Sequence, residues 1–66
     1  MMREKNECIA RKGFASLILD YEFSANDLLP AYVSCRVLID GWYNGSITAE
    51  SREAAIEKFY AGEWRF

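Results

Sequence analysis

Alternation of apolar and polar residues marks residues 33–40 as a strand with one buried face. Its odd positions are apolar and its even positions mostly polar, namely Val33, Cys35, Val37 and Ile39 against Ser34, Arg36, Leu38 and Asp40. The same spacing returns at residues 47–50, where Ile47 and Ala49 are the apolar positions. This pattern predicts two neighbouring strands whose odd positions form one apolar face.

Residues 51–62 carry the signals of a short amphipathic helix with both ends marked. Ser51 provides a side-chain oxygen for the free amides of a first helical turn, and Glu50 and Glu53 suit the positive end of the helix dipole. The apolar side consists of Ala55, Ile56, Phe59 and Tyr60. Gly62 can adopt the left-handed conformation that ends a helix. Because a helix of about ten residues is marginal alone in water, we expect residues 52–61 to cover the odd-numbered face.

The turn between the two strands is constrained by parity, that is, by whether odd-numbered positions of one strand pair with odd-numbered or even-numbered positions of the other. A two-residue loop at residues 40–41 or 44–45 would place Ile47 and Ala49 on the face opposite Val37. A three-residue loop keeps the apolar positions together. We therefore predict a loop at residues 43–45, with Gly45 in a left-handed bulge position, so that Ile39 pairs with Ala49. A loop at residues 40–42 is the alternative with the same parity.

Residues 7–23 fit two structures. A helix would gather several apolar residues on one side but would enclose Gly13. A strand would alternate from residue 15 to residue 23, and a turn at residues 12–13 would pair Ala10 with Ala15 and Cys8 with Leu17. We favour this hairpin because its register collects small and apolar residues on one face.

The remaining segments are assigned from their composition. Residues 1–6 are polar and predict a frayed end. Ser24 and Asp27 resemble the cap of a single helical turn in a connector that Pro30 ends. Trp64 and Phe66 alternate with charged residues, as in an extended tail that either docks on the sheet edge or stays available to a partner. Residues 1–66 therefore form one small α+β domain, an antiparallel sheet of three to four strands with one main C-terminal helix packed on one face.

From about residue 33 onward the chain resembles the DpnD/PcfM-like small proteins of mobile elements. That family shows a strand pair, an Ala-Glu-Ser-x-Glu-Ala pattern, a short helix, and then Tyr-x-Gly-Glu. The matching residues are Ala49, Glu50, Ser51, Glu53, Ala54, Ala55, Ile56, Tyr60, Gly62 and Glu63. The resemblance covers about half of the chain and implies no known chemistry, so it assigns no functional residue.

Composition narrows the function classes. The net charge is −2, and 52% of the residues are hydrophobic, more than a core with one helix needs. A partner surface or a homodimer would use this surplus. The acidic balance argues against direct nucleic-acid binding, which needs a basic footprint. The sequence has no apolar run of about 20 residues that could span a membrane. Two cysteines are too few for a disulfide scaffold, so we expect reduced thiols and a cytoplasmic location, in the host cell if a phage encodes the protein.

The residue types exclude most catalytic sets. The chain contains no histidine, which removes Ser-His and Cys-His nucleophile pairs and histidine metal sites. Cys35 lies on the predicted core face, where a thiol behaves as a small apolar residue. The carboxylate pairs Asp20–Glu22 and Glu53–Glu57 carry no sign of the desolvation that acid–base catalysis requires. We therefore expect no enzyme activity, no metal and no cofactor.

Two surfaces are candidates for binding a partner. The first is aromatic: Tyr32, Trp42 and Tyr43 are expected on or beside the sheet face opposite the helix, with Arg36, and Trp64 follows in the tail. Phe14, Ile18 and Leu38 would share that face. Tyrosine, tryptophan and arginine dominate binding hot spots. The second is acidic and consists of Glu50, Glu53, Glu57 and Glu63, carboxylates that can take the place of phosphates on a nucleic-acid-binding complex.

These observations predict a non-enzymatic protein-interaction module of a phage or other mobile element. One concrete form is a small inhibitor of the anti-CRISPR or anti-restriction type that binds and blocks a host defence complex. The alternative is a self-associating structural or accessory protein whose aromatic residues close a dimer interface.

Overall fold

The computed structural model describes residues 2–64 and contains a four-stranded antiparallel sheet with one helix packed against it. The strands are β1 (Met2–Lys12), β2 (Ala15–Phe23), β3 (Tyr32–Ile39) and β4 (Trp42–Ala49), and the helix is α1 (Arg52–Ala61). Each strand pairs with its neighbour in sequence, in the order β1-β2-β3-β4. The predicted α+β architecture is confirmed. Met1 of the predicted frayed end, and Arg65 and Phe66 of the predicted tail, lie outside the described residues.

The hairpin assignment for residues 7–23 is confirmed, but its predicted register is wrong. The loop consists of Gly13 and Phe14, so that Lys12 pairs with Ala15, and Ala10 pairs with Leu17 instead of Ala15. Gly13 has φ 62, a left-handed conformation that glycine adopts without steric cost. Residues 2–6, for which the polar composition predicted fraying, belong to β1 in this structure.

The β3–β4 turn differs from both predicted loops. Asp40 and Gly41 form a two-residue loop with φ 52 and 83, the left-handed pair typical of tight hairpins. This loop reverses parity, as expected, and Leu38 therefore pairs with Tyr43. Asn44 is then an extra residue, a β-bulge that shifts the pairing by one, so that Val37 pairs with Gly45. Beyond the bulge, odd-numbered positions again pair with odd-numbered positions, as the predicted three-residue loop would also have produced.

The odd-numbered apolar stripe forms the core. Its predicted members Val33, Cys35, Val37, Ile47 and Ala49 are all buried, whereas Ile39 is half-buried. The other buried apolar residues are Leu17, Leu19, Ala55, Phe59 and Trp64. The prediction that α1 covers this face is therefore confirmed.

Helix α1 begins and ends at the predicted residues. The Ser51 side chain accepts a hydrogen bond from the Ala54 amide at 3.1 Å. Gly62 has φ 77, and the amides of Gly62 and Glu63 donate to carbonyls in the last turn. A hydrogen bond also joins the helix to β1, since Tyr60 Oη donates to the Arg11 carbonyl at 3.0 Å.

The connector between β2 and β3 contains bends rather than the predicted helical turn. Asn26, not Ser24, provides the cap: its Oδ1 accepts hydrogen bonds of 2.8 Å from the amides of both Leu28 and Leu29. Both leucine side chains are exposed. The Asn26 amide also donates to the Leu29 carbonyl at 2.9 Å, so the turn is closed by both the side chain and the backbone of Asn26.

Candidate functional site

Strand register divides the side chains of the sheet between two faces. Four cross-strand rows lie on the side of α1, and four lie on the opposite side, which we call the open face. The open-face rows are Met2–Phe23–Tyr32, Glu4–Tyr21–Ser34–Thr48, Cys8–Ile18–Arg36–Ser46 and Arg11–Ser16–Leu38–Tyr43. Helix α1 packs on the other side, so the open face is a broad sheet surface without a covering layer in residues 2–64.

One end of the open face is aromatic. The rings of Phe23 and Tyr32 stack with centroids 4.3 Å apart, and Tyr21 lies 6.0 Å from Phe23. Regular alternation along β2 would place Tyr21 and Phe23 on the same side as Leu17 and Leu19. A register shift between Leu19 and Tyr21 leaves Asp20 as an extra residue and turns both rings to the open face. No local signal in the sequence marks this bulge.

The middle of the open face is held by a polar cluster. Arg36 Nε donates to Asp20 Oδ1 at 2.8 Å, and Arg36 Nη2 donates to Asn6 Oδ1 at 3.1 Å. With Glu4 and Tyr21 these three residues line an open depression of about 430 Å³. Arg36, a predicted partner-binding residue, therefore lies where expected, and its guanidinium is oriented by two neighbours.

The other end of the open face carries apolar and aromatic side chains beside Arg11 and Ser16. Leu38 and Ile18 are half-buried, and Tyr43 is 61% exposed. Tyr43 pairs with Leu38, which places both on the same face. The predicted positions of Ile18, Leu38 and Tyr43 on this face are confirmed. Phe14, expected with them, instead lies in the β1–β2 loop and lines a depression of about 260 Å³ near Ile39 on the helix side.

The two tryptophans do not join the open face. Trp42 pairs with Ile39, whose side chain packs against the core, so its register places it on the helix side, where it is 77% exposed. Trp64 is buried: its Nε1 donates to the Phe59 carbonyl at 3.0 Å, and the two rings are stacked. Trp64 is thus docked against Phe59 of α1 rather than on the sheet edge, and residues 62–64 form a turn rather than an extended tail.

The acidic candidates lie on the outer side of α1 and next to its ends. Glu50, Glu53, Glu57 and Glu63 are all exposed. The two cations of α1 point elsewhere, because Arg52 pairs with Glu7 and Glu22 of the sheet, and Lys58 donates to the Thr48 carbonyl at 3.2 Å. Glu53 and Glu57 therefore present negative charge away from the sheet.

The surroundings of two side chains in the sheet shift their pKa values in opposite directions. Hydrogen bonding from Arg52 lowers the pKa of Glu22, so this carboxylate stays ionised at neutral pH. Burial raises the pKa of the Cys35 thiol to about 11, which keeps it protonated and a poor nucleophile. Cys8 and Cys35 are free thiols on opposite faces of the sheet. Among residues 2–64, no group of three His, Cys, Asp or Glu side chains lies close enough to hold a metal ion.

Comparisons with family models, with curated proteins and with solved structures find no match to this chain. The resemblance to DpnD/PcfM-like proteins thus stays a prediction from the sequence. Within residues 2–64, α1 is the one helix, and it falls short of the length and apolar character that crossing a bilayer requires.

Proposed function

We propose that this protein is a non-enzymatic protein-interaction module and that it binds a protein partner through the open face. The observation that carries the proposal is the two-sided character of the sheet. One side is buried under α1, and the other leaves apolar and aromatic side chains accessible on three strands, at Ile18, Leu38 and Tyr43. Apolar surface that the chain does not cover itself is typical of a contact site.

The composition of the open face suits a protein more than a nucleic acid. Its aromatic residues and a pre-oriented Arg36 are the side chains that anchor protein interfaces. Its charges are balanced, since Glu4 and Asp20 accompany Arg11 and Arg36, so it lacks the basic footprint that phosphate binding needs. Tyr43 would provide an exposed aromatic anchor next to the apolar Leu38.

The narrower form of the proposal is an inhibitor of a host defence complex, encoded by a phage or other mobile element and acting in the host cytoplasm. It is supported by the resemblance of residues 33–63 to mobile-element proteins and by the small size of the chain. The exposed carboxylates of Glu53 and Glu57 would give such an inhibitor a second contact with a nucleic-acid-binding partner.

A substitution experiment tests which surface binds. Immobilised wild type and the variants Leu38→Lys and Glu57→Lys are incubated with lysate of a candidate host, and recovered proteins are identified by mass spectrometry. We expect a specific protein that wild type and E57K recover but L38K does not, since a lysine in the apolar end of the open face breaks its complementarity. Circular dichroism checks that both variants fold.

Other results contradict the proposal. Recovery that E57K abolishes and L38K leaves unchanged would move the site to the acidic side of α1. Loss of all specific recovery at every salt concentration, with wild type as well, would reject a stable protein partner in that host.

Self-association is the second candidate function. It is favoured by a specific observation, the uncharged edge strand β4 with two exposed aromatic residues, Trp42 and Tyr43. The dimer would then use the sheet edge in addition to the aromatic surface that the composition indicates.

A further inference from the structure

The two edge strands of the sheet differ in how they are protected. β1 carries six charged residues among eleven, has two register shifts along its pairing with β2, and contains Asn6 with φ 51. Charges and irregular backbone are the devices that keep an edge strand from pairing with another chain. β4 has no charged residue and no proline among its eight residues. β4 is therefore the less protected of the two edges, since its only devices within residues 2–64 are the bulge at Asn44 and the Lys58 side chain at Thr48.

The backbone of β4 has polar groups that point away from the sheet. The Thr48 carbonyl accepts a hydrogen bond from Lys58 Nζ at 3.2 Å, a donor outside the ladder. In an antiparallel strand the N–H and C=O groups of one residue point to the same side, and the side alternates along the strand. Thr48 and Ser46 consequently direct both backbone groups outward.

We propose that β4 pairs antiparallel with β4 of a second copy of this chain, forming a dimer with a continuous eight-stranded sheet. The pairing is self-complementary because no like charges meet across the seam. Its two-fold axis is perpendicular to the sheet, so both α1 helices lie on one side and both open faces on the other. This inference rests on the second candidate function, self-association, and does not depend on binding of another protein to the open face.

The bulge at Asn44 fixes the register. It leaves residues 45–49 as the regular part of β4, and the centre of this segment is Ile47. Pairing centred on Ile47 places Ser46 of each copy opposite Thr48 of the other, so the outward groups of both residues exchange hydrogen bonds. Centring on Ser46 would instead place the bulged Asn44 opposite Thr48 and interrupt the ladder.

The same register gives a role to the exposed Trp42. Its pairing with Ile39 places it on the helix side, 77% exposed at the start of β4. Because the second copy runs antiparallel, the start of one β4 lies beside the end of the other. Trp42 therefore lies next to residues 50–52 of the second copy, where the chain passes from β4 into α1. This contact adds aromatic burial to the strand pair.

We expect a weak dimer. One strand pair with two flanking tryptophans buries less than the about 1,200 Å² at which standard interfaces begin. Lys58 must also release the Thr48 carbonyl, since a lysine over an edge opposes pairing. The dissociation constant should accordingly lie between about 1 µM and 1 mM.

Thr48 offers a matched pair of variants. Thr48→Pro removes the outward N–H and places a ring at the edge, a position where proline is tolerated because the N–H does not serve the β3–β4 ladder. Thr48→Val keeps the N–H and the β-branched shape. By sedimentation equilibrium from about 10 µM to 1 mM, we expect wild type and T48V to dimerise and T48P to remain monomeric.

Amide hydrogen exchange gives a second measurement that stands if T48P fails to fold. In wild type, the amides of Ser46 and Thr48 should become more protected as the protein concentration rises through the dissociation constant, while the amides of β1 stay unchanged. A wild type that is monomeric at 1 mM, a folded T48P that still dimerises, or concentration-dependent protection confined to β1 would overturn the proposal.

Discussion

At the scale of single residues, Phe59 joins the helix to the rest of the core. Its ring is buried, and its carbonyl accepts the hydrogen bond of the Trp64 indole, so one residue holds both α1 and the chain that follows it. Tyr60, its neighbour, is 47% exposed and contributes mainly a hydrogen bond to the Arg11 carbonyl. Adjacent aromatic residues therefore have unequal roles.

We expect Phe59→Ala to cost about 3–5 kcal/mol, the usual range for a buried aromatic residue, which approaches the whole stability of a domain of this size. Tyr60→Ala is the matched control and should cost about 1 kcal/mol for its hydrogen bond. Urea unfolding followed by circular dichroism measures both. Equal losses in the two variants would refute the assignment of Phe59 to the core.

Glu22 predicts a pH dependence at the same scale. Arg52 lowers its folded pKa, so the stability it contributes is present above its unfolded pKa of about 4.3 and is lost as the pH falls through the folded value. Thermal unfolding should show wild type more stable than Glu22→Gln at about pH 7, with the Tm difference shrinking as the pH falls below about 4.3. A difference that grows on acidification would contradict this sign.

At the scale of elements, β-bulges decide which face a side chain occupies. Asn44 is the extra residue that lets a two-residue turn coexist with an apolar face at Val37 and Ile47. Deleting it should leave a regular hairpin in which Val37 still pairs with Gly45. The role of Asn44 is thus to change register, and its side chain matters little for the core.

Two single-residue deletions in β4 test this role. Deletion of Asn44 should preserve the fold within about 1 kcal/mol, because every core residue keeps its face. Deletion of Ser46 should destabilise the protein by at least about 2 kcal/mol, because it moves the polar side chain of Asn44 into the buried position of Gly45 under α1. The free energies of unfolding in urea distinguish the two deletions. If deletion of Asn44 destabilised the protein more than deletion of Ser46, the proposed pairing would be wrong.

At the scale of the whole molecule, one helix makes the two faces of the sheet chemically unequal. Cys8 lies on the open face and is exposed, whereas Cys35 is buried under α1 with its thiol pKa raised to about 11. The protein therefore carries one internal reporter on each face.

Thiol labelling uses these reporters. Under native conditions at about pH 8, near the ordinary thiol pKa, a disulfide reagent should modify Cys8 within minutes and Cys35 only at the rate of unfolding. In the control Cys8→Ser, native labelling should nearly vanish and return in denaturant. Rapid native labelling of C8S would show that α1 does not protect the core face.

Much of the fold was predictable because its signals are local. The alternation of Val33, Cys35 and Val37, the capping oxygen of Ser51 and the left-handed Gly62 each act over a few residues. Such signals correctly identified the core stripe, both ends of α1 and the face that the helix covers. They also placed Ile18, Arg36, Leu38 and Tyr43 on the open face.

The tertiary structure alone decided the bulges and what depends on them. Asp20 turns Tyr21 and Phe23 to the open face, and the tight turn that Asn44 compensates places Trp42 on the helix side. A bulge is selected when burial of one strand face conflicts with turn geometry or with the register of a neighbouring strand. That conflict exists only between paired strands, so alternation read along one strand cannot contain it.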